Sequence, residues 1–205
     1  MNYLAHAYLS FDIPEIVTGN MISDFVKGRR KSEFPLRIRT GISLHRAIDG
    51  FTDTHPATHR AKSYFRREYG LYSGPLTDIL YDHFLANDPT IFPEAGDLSR
   101  FAASTYAHLA GFSDFFPERF ARLFPYMRDM DWFSGYRTFA GIFASLGGLA
   151  RRAKYMPAPD AACRLFETHY AALRDCYLAF FPDLAAFAAG TLAELEREGG
   201  TEKIG

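Results

Sequence analysis

Between Gly41 and Pro56 the chain reads GISLHRAIDGFTDTHP, and His45, Asp49 and Asp53 follow one another there at intervals of four. An α-helix takes about 3.6 residues per turn, so residues four apart share a face. An imidazole and two carboxylates therefore point the same way along one helix. Ile42, Leu44, Ile48 and Phe51 give that helix apolar positions for packing. His55 follows at its end, because the residue before Pro56 is pushed out of the helical region. Polar stripes on surface helices are ordinary. This one is made of side chains that ligate hard or borderline divalent metals, although Arg46 and Arg60 also offer Asp49 and Asp53 plain ion pairs.

The same spacing recurs nearby. Residues 2–10 suit a short helix carrying His6. Pro14 fits a first helical position, and the apolar residues from Ile16 to Phe25 mark a second helix on which Asn20 and Asp24 lie four apart. Residues 27–31 form a basic loop, and Pro35 opens the central helix. A further helix ends near Tyr69, where Gly70 is a stop signal. Pro75 starts a helix with Asp78 and Asp82 four apart and His83 next to Asp82. The second half predicts helices near 96–111, 117–130, 133–153, 159–180 and 183–198, punctuated by Pro117, Pro157, Pro159 and Pro182. No run alternates apolar and polar residues as a half-buried strand does. The expected fold is all-α: a single-domain helical bundle over residues 1–198, followed by a flexible tail at 199–205. Its 205 residues, 48% hydrophobic and 23% charged, suffice for one sizeable core, and no Pro/Gly/Ser-rich linker divides them.

Four separate segments of the N-terminal half thus carry ligand-type residues: His6; Asn20 and Asp24; His45, Asp49 and Asp53; Asp78, Asp82 and His83. His108 and His169 have no comparable companions. The asymmetry points to one shared site built by packed N-terminal helices, since buried carboxylates need partners or a cation. Several common chemistries are missing. There is no glycine-rich phosphate loop, no Gly-x-Ser-x-Gly elbow, and no Cys-x-x-Cys or His-Glu-x-x-His zinc pattern. Oxygen and imidazole donors without cysteine suit manganese, magnesium or iron.

A formal net charge of −1 gives no global attraction to nucleic acid or membrane. Charge is nevertheless uneven: residues 24–67 hold eleven basic and four acidic side chains, a local balance of +7. That segment suits an anionic partner, and it has no recognisable nucleic-acid motif. No uninterrupted apolar stretch of about 18 residues predicts a membrane span. The N-terminus lacks the basic region of a signal peptide. Cys163 and Cys176, thirteen apart in a helical pattern, would be separated by roughly 20 Å along one axis. They read as reduced thiols of a cytoplasmic protein.

One set of residues resembles a known family. Asn2-Tyr3-Leu4-Ala5-His6 is followed by Gly19-Asn20 and Asp24-Phe25, then by Gly41, Leu44-His45-Arg46, Ile48-Asp49, Thr52-Asp53 and His55, then by Asp78 and Asp82-His83-Phe84-Leu85. Leu149 to Arg152 is a weaker echo. In this order they resemble the acyl carrier protein phosphodiesterases, or acyl carrier protein hydrolases, thought to be related to the all-helical HD-domain metal phosphohydrolases. The resemblance implies an HD-like bundle and manganese-dependent cleavage of the phosphodiester joining 4′-phosphopantetheine to a serine of acyl carrier protein. Here the adjacent pair is Asp82-His83, the reverse of the usual HD order, so roles from the wider HD group do not transfer directly.

On this resemblance the expected metal ligands are Asp24, His45, Asp49, Asp78 and Asp82, with Mn²⁺ the expected ion and Mg²⁺ or Fe²⁺ compatible. His83 and His6 are expected in acid–base or orienting roles, and Arg46 at the phosphate. Asp53 and His55 are either ligands or caps of their turn. Lys27, Arg29, Arg30 and Lys31 are expected to receive the acidic carrier protein. Two other functions fit the same residues: an HD-like phosphohydrolase of nucleotides or small phosphoesters, and a non-catalytic helical protein that binds an acidic partner.

Overall fold

A computed structural model describes residues 2–153 and 155–201. Among them the chain forms eleven α-helices and no strand: α1 (Tyr3–Tyr8), α2 (Pro14–Ile22), α3 (Leu36–Thr54), α4 (Pro56–Tyr69), α5 (Ser73–Ala86), α6 (Asp97–Gly111), α7 (Glu118–Asp129), α8 (Trp132–Gly135), α9 (Phe139–Arg152), α10 (Pro159–Thr168) and α11 (Tyr170–Thr201). The all-α expectation holds. Pro14, Pro56 and Pro159 each occupy the start of a helix, where the missing N–H costs nothing. The expected basic loop is a 3-10 segment, Gly28–Glu33.

Three boundaries differ from expectation. The segment 133–153 is two helices, because Thr138 caps α9 by accepting the Gly141 amide at 3.0 Å. The break expected at Pro182 falls instead at His169, and α11 continues through Pro182. A proline removes one backbone donor, but the buried row Leu173, Cys176, Tyr177, Phe180, Phe181 and Leu184 keeps the helix against the core. Finally, α11 extends past Glu198 to Thr201, and residues 202–205 of the expected tail lie outside those described. The two cysteines are on different helices, α10 and α11, and both are free.

The closest packing in the bundle joins α2 to α3. A Cβ on Gly19 would stand 2.1 Å from the Ile38 carbonyl oxygen, and one on Gly41 would stand 2.4 Å from that of Ile16. Only glycine lets the two backbones meet there. Helix α3 also packs on α11, which in turn packs on α4. Helix α5 touches α1, α4 and α9. By length and composition residues 170–199 could cross a membrane, an 18-residue stretch of them having a mean hydropathy of 1.4. In this fold their apolar row is the core contact to α3 and α4.

Candidate metal centre

Helix α1 is only six residues long, too short to be stable alone. It is pinned at both ends. At its start the Leu4 and Ala5 amides donate to the two carboxylate oxygens of Asp82, at 2.8 and 3.1 Å. At its end the His6 carbonyl accepts from Ser10 Oγ at 2.8 Å and from Asn20 Nδ2 at 3.0 Å. These anchors direct the His6 ring onto that of His45, stacked with centroids 4.0 Å apart and 16° between planes.

His45 is the hub. Asn20 Nδ2 is spent on the His6 carbonyl and Ser10 Oγ, so Asn20 Oδ1 is an acceptor. His45 Nδ1, 3.1 Å away, therefore donates to it. That fixes the ring so that Nε2 faces the carboxylates. His45 Nε2 lies 3.2 Å from Asp24 Oδ1 and 3.2 Å from Asp49 Oδ2. The expected four-residue pairing of His45 with Asp49 is thus real. His6 Nε2 is 3.2 Å from Asp49 Oδ1, yet it is buried and not angled to form a hydrogen bond.

The charge states follow. Burial disfavours the protonated form of His45, but the neighbouring carboxylates of Asp24 and Asp49 outweigh it and raise the pKa to about 9. Burial and the cation on His45 lower His6 to about 4. Burial also works against ionised Asp49, and contacts with His45 and His6 overcome it, holding that carboxyl well below its usual range. Contact with His45 lowers Asp24 in the same way.

One donor atom each from His6, His45 and Asp49 lies within 4.8 Å of the others. The donor set of two imidazoles and a carboxylate suits a borderline divalent cation. The buried Nε2 of His6, beside Asp49 but without a well-formed hydrogen bond, is the kind of polar atom that an ion would satisfy. The residues present fit a metal. His6, expected in an acid–base or orienting role, is itself in the donor set.

Asp24 and Asp49 open into a cleft of about 890 Å³ that also has Asp53 and Asp78 on its wall. Asp78 is half-buried, and burial raises its pKa. Asp53 is tied to Lys62 Nζ at 2.7 Å. The rest of the lining includes Tyr3, Trp132, Tyr136, Leu149, Arg151 and Arg152.

Several expected residues face elsewhere. Asp82 is fully buried, and its oxygens receive the α1 amides. Burial pushes it up to about 7 against those hydrogen bonds. His83, one residue on, points off this face of α5. Its Nδ1 donates to the Tyr136 carbonyl at 2.8 Å, and its Nε2 accepts from the Tyr170 hydroxyl at 3.1 Å. Arg46 is exposed and donates to the Val26 carbonyl at 3.1 Å. His55 caps α4, accepting the Ala57 amide at 3.2 Å. Lys27, Arg29 and Arg30 are exposed on the segment that follows Asp24, while Lys31 donates to Ser43 Oγ at 2.8 Å. The cationic residues in the cleft are Arg151 and Arg152, which spacing did not mark; the faint likeness at Leu149 to Arg152 was the one signal for them.

Comparison with known proteins identifies the family. The family described as "Acyl carrier protein phosphodiesterase" matches residues 1–184. A protein of that name from Salmonella paratyphi A is 32% identical over 189 residues, covering 92% of this chain and 98% of its own. One from Yersinia pestis is 32% identical over 184 residues, covering 90% and 95%. No solved structure matches.

Proposed function

The chain belongs to the acyl carrier protein phosphodiesterase family, and from that premise we propose that it is a phosphoric diester hydrolase. Its substrate is holo-acyl carrier protein, and its products are the apo-protein and 4′-phosphopantetheine. The observation that carries the reading is the convergence of His6, His45 and Asp49 beside a cleft large enough for a prosthetic arm.

His6, His45 and Asp49 would hold a divalent cation, Mn²⁺ in this reading, and Asp24 stands beside them on the cleft wall. The chemistry that such an ion supplies is Lewis acidity, which neutralises phosphoryl charge and lowers the pKa of water. Asn20 keeps the Nε2 of His45 turned toward the carboxylates. Asp82 holds α1 in register, so His6 arrives at the right place. The serine oxygen that leaves phosphorus needs a proton. Asp78, on the cleft wall and shifted toward its protonated form, is placed to hold it. His83 has both ring nitrogens engaged in the aromatic core, which favours Asp78 over it for this task.

The acidic carrier is received by Lys27, Arg29 and Arg30, which follow Asp24 in the chain and lie exposed. Kinship with HD-domain phosphohydrolases and a cytoplasmic location belong to the same reading. The test is to incubate holo-acyl carrier protein with the purified protein and Mn²⁺ and weigh the carrier. The expected result is a mass loss equal to the prosthetic group, abolished by chelator. An unchanged carrier mass with folded, metal-loaded protein overturns the proposal. Turnover of small phosphoesters instead would indicate the general phosphohydrolase.

A further inference from the structure

We infer that Arg151 and Arg152 form the cationic part of the substrate site, where they hold the phosphate of the phosphopantetheine arm. The inference rests on the proposed function and adds residues to it. Both side chains line the cleft that contains Asp24, Asp49 and Asp78. Basic residues in the last turn of a helix are ordinary, because they complement its dipole. Three features set these two apart.

First, no carboxylate pairs with either among the described residues. The group that meets Arg152 is neutral: the phenol of Tyr3 lies against its guanidinium. Two cations without a carboxylate partner, in a cleft that also holds Asp24, Asp49 and Asp78, suit a ligand that carries negative charge and would also meet a cation held by the carboxylates.

Second, the guanidinium of Arg151 is folded back over its own helix. A Cβ on Gly147 would lie 3.7 Å from Arg151 Nη1, and one on Gly148 would lie 3.8 Å from Nη2. The two glycines leave a seat in which the planar fork rests. Third, the fold itself does not require glycine there. Both positions are helical, neither has a positive φ, and a Cβ at either would make only ordinary contacts. A glycine inside a helix costs roughly 1 kcal/mol relative to alanine. The two adjacent ones give the Arg151 guanidinium a smooth helix surface to lie on, and Gly148 itself lines the cleft.

The probe is free 4′-phosphopantetheine, titrated calorimetrically into metal-free protein, so that binding is read apart from turnover. Wild type should bind it, and R151Q/R152Q should weaken it roughly tenfold to hundredfold, the worth of lost hydrogen bonds to a charged group. Gly148→Leu, which fills the seat, should weaken it similarly, while Gly148→Ala should bind like wild type. Both arginines are exposed, so the double variant should keep the wild-type melting temperature. With holo-carrier its KM should rise more than its kcat falls. Equal affinity in wild type and R151Q/R152Q, or no binding by wild type, overturns the inference. If wild type cleaves the carrier while the arginine variants bind normally, this inference alone fails. If the arm binds through the arginines but the carrier is never cleaved, the proposed activity fails and the phosphate site stands.

Discussion

The imidazoles of His6 and His45 are stacked 4.0 Å apart between carboxylates, and only His45 has a raised pKa. Two protonated rings in such contact repel each other. The metal-free pair therefore carries a single positive charge near neutrality, on His45, where Asp24 and Asp49 flank it.

A cation bound to this pair must displace that proton. Metal binding at pH 7 should release about one proton, measured by calorimetry in buffers of different ionisation enthalpy. Affinity should increase with pH up to about 9 and level off above it, where His45 becomes neutral. The metal-free fold should respond in the opposite sense. The folded pKa of His45 lies above its unfolded value of 6.5. Its stabilisation is complete below that value and is lost as pH rises through about 9. His45→Asn should flatten this fall in melting temperature, and an unchanged slope would place the proton elsewhere.

Asn20 acts through the imidazole it orients. Asn20→Ala should reduce metal affinity by about 10- to 100-fold, as is usual for partners that orient a ligand. Asn20→Asp keeps the acceptor for His45 Nδ1 and should retain more affinity than the alanine variant. Equal losses in the two would mean that the ring is held by other contacts.

Asp82 and Asp49 should fail in different ways. Asp82→Ala leaves the buried amides of Leu4 and Ala5 without acceptors, which costs about 1–3 kcal/mol each. It should lower the melting temperature of the metal-free protein and weaken metal binding together. Asp49→Ala removes a donor from the centre, and its main effect should be lost metal retention. Metal analysis alongside thermal melts separates the two roles.

Charge reversal of Lys27, Arg29 and Arg30 to Glu should raise KM for the carrier more than it lowers kcat. The difference should shrink as salt rises, since exposed charges act over a Debye length of roughly 8 Å at physiological salt. A normal KM at low salt would assign carrier docking to another surface.

Much of this centre was legible in the chain before any coordinates. Spacing of four paired His45 with Asp49, and the local crowding of ligand types brought in His6 and Asp24. Spacing within one helix does not say which neighbour each face meets. Asp82 and His83 adjoin in sequence, but successive helical residues diverge by about 100°. One therefore meets the amides of α1 while the other enters the aromatic core. Arg46 shares a helix with the ligands but lies off their face, on the Val26 carbonyl. The cleft arginines come from α9, a hundred residues away, and only tertiary packing delivers them. Pro182 misled for a related reason, because burial of its neighbours outweighs the local preference to stop.

Helix α11 packs on α3, and this sets an order on biosynthesis. The residues of the candidate metal centre emerge from the ribosome early, but α3, which carries His45 and Asp49, lacks its contact with α11 until residues 170–201 follow. A nascent chain halted before α11 would have the ligands without the support that holds them in place. Acquisition of metal would then mark completion of the polypeptide, and a partly made chain would be spared from competing for the ion or for the carrier.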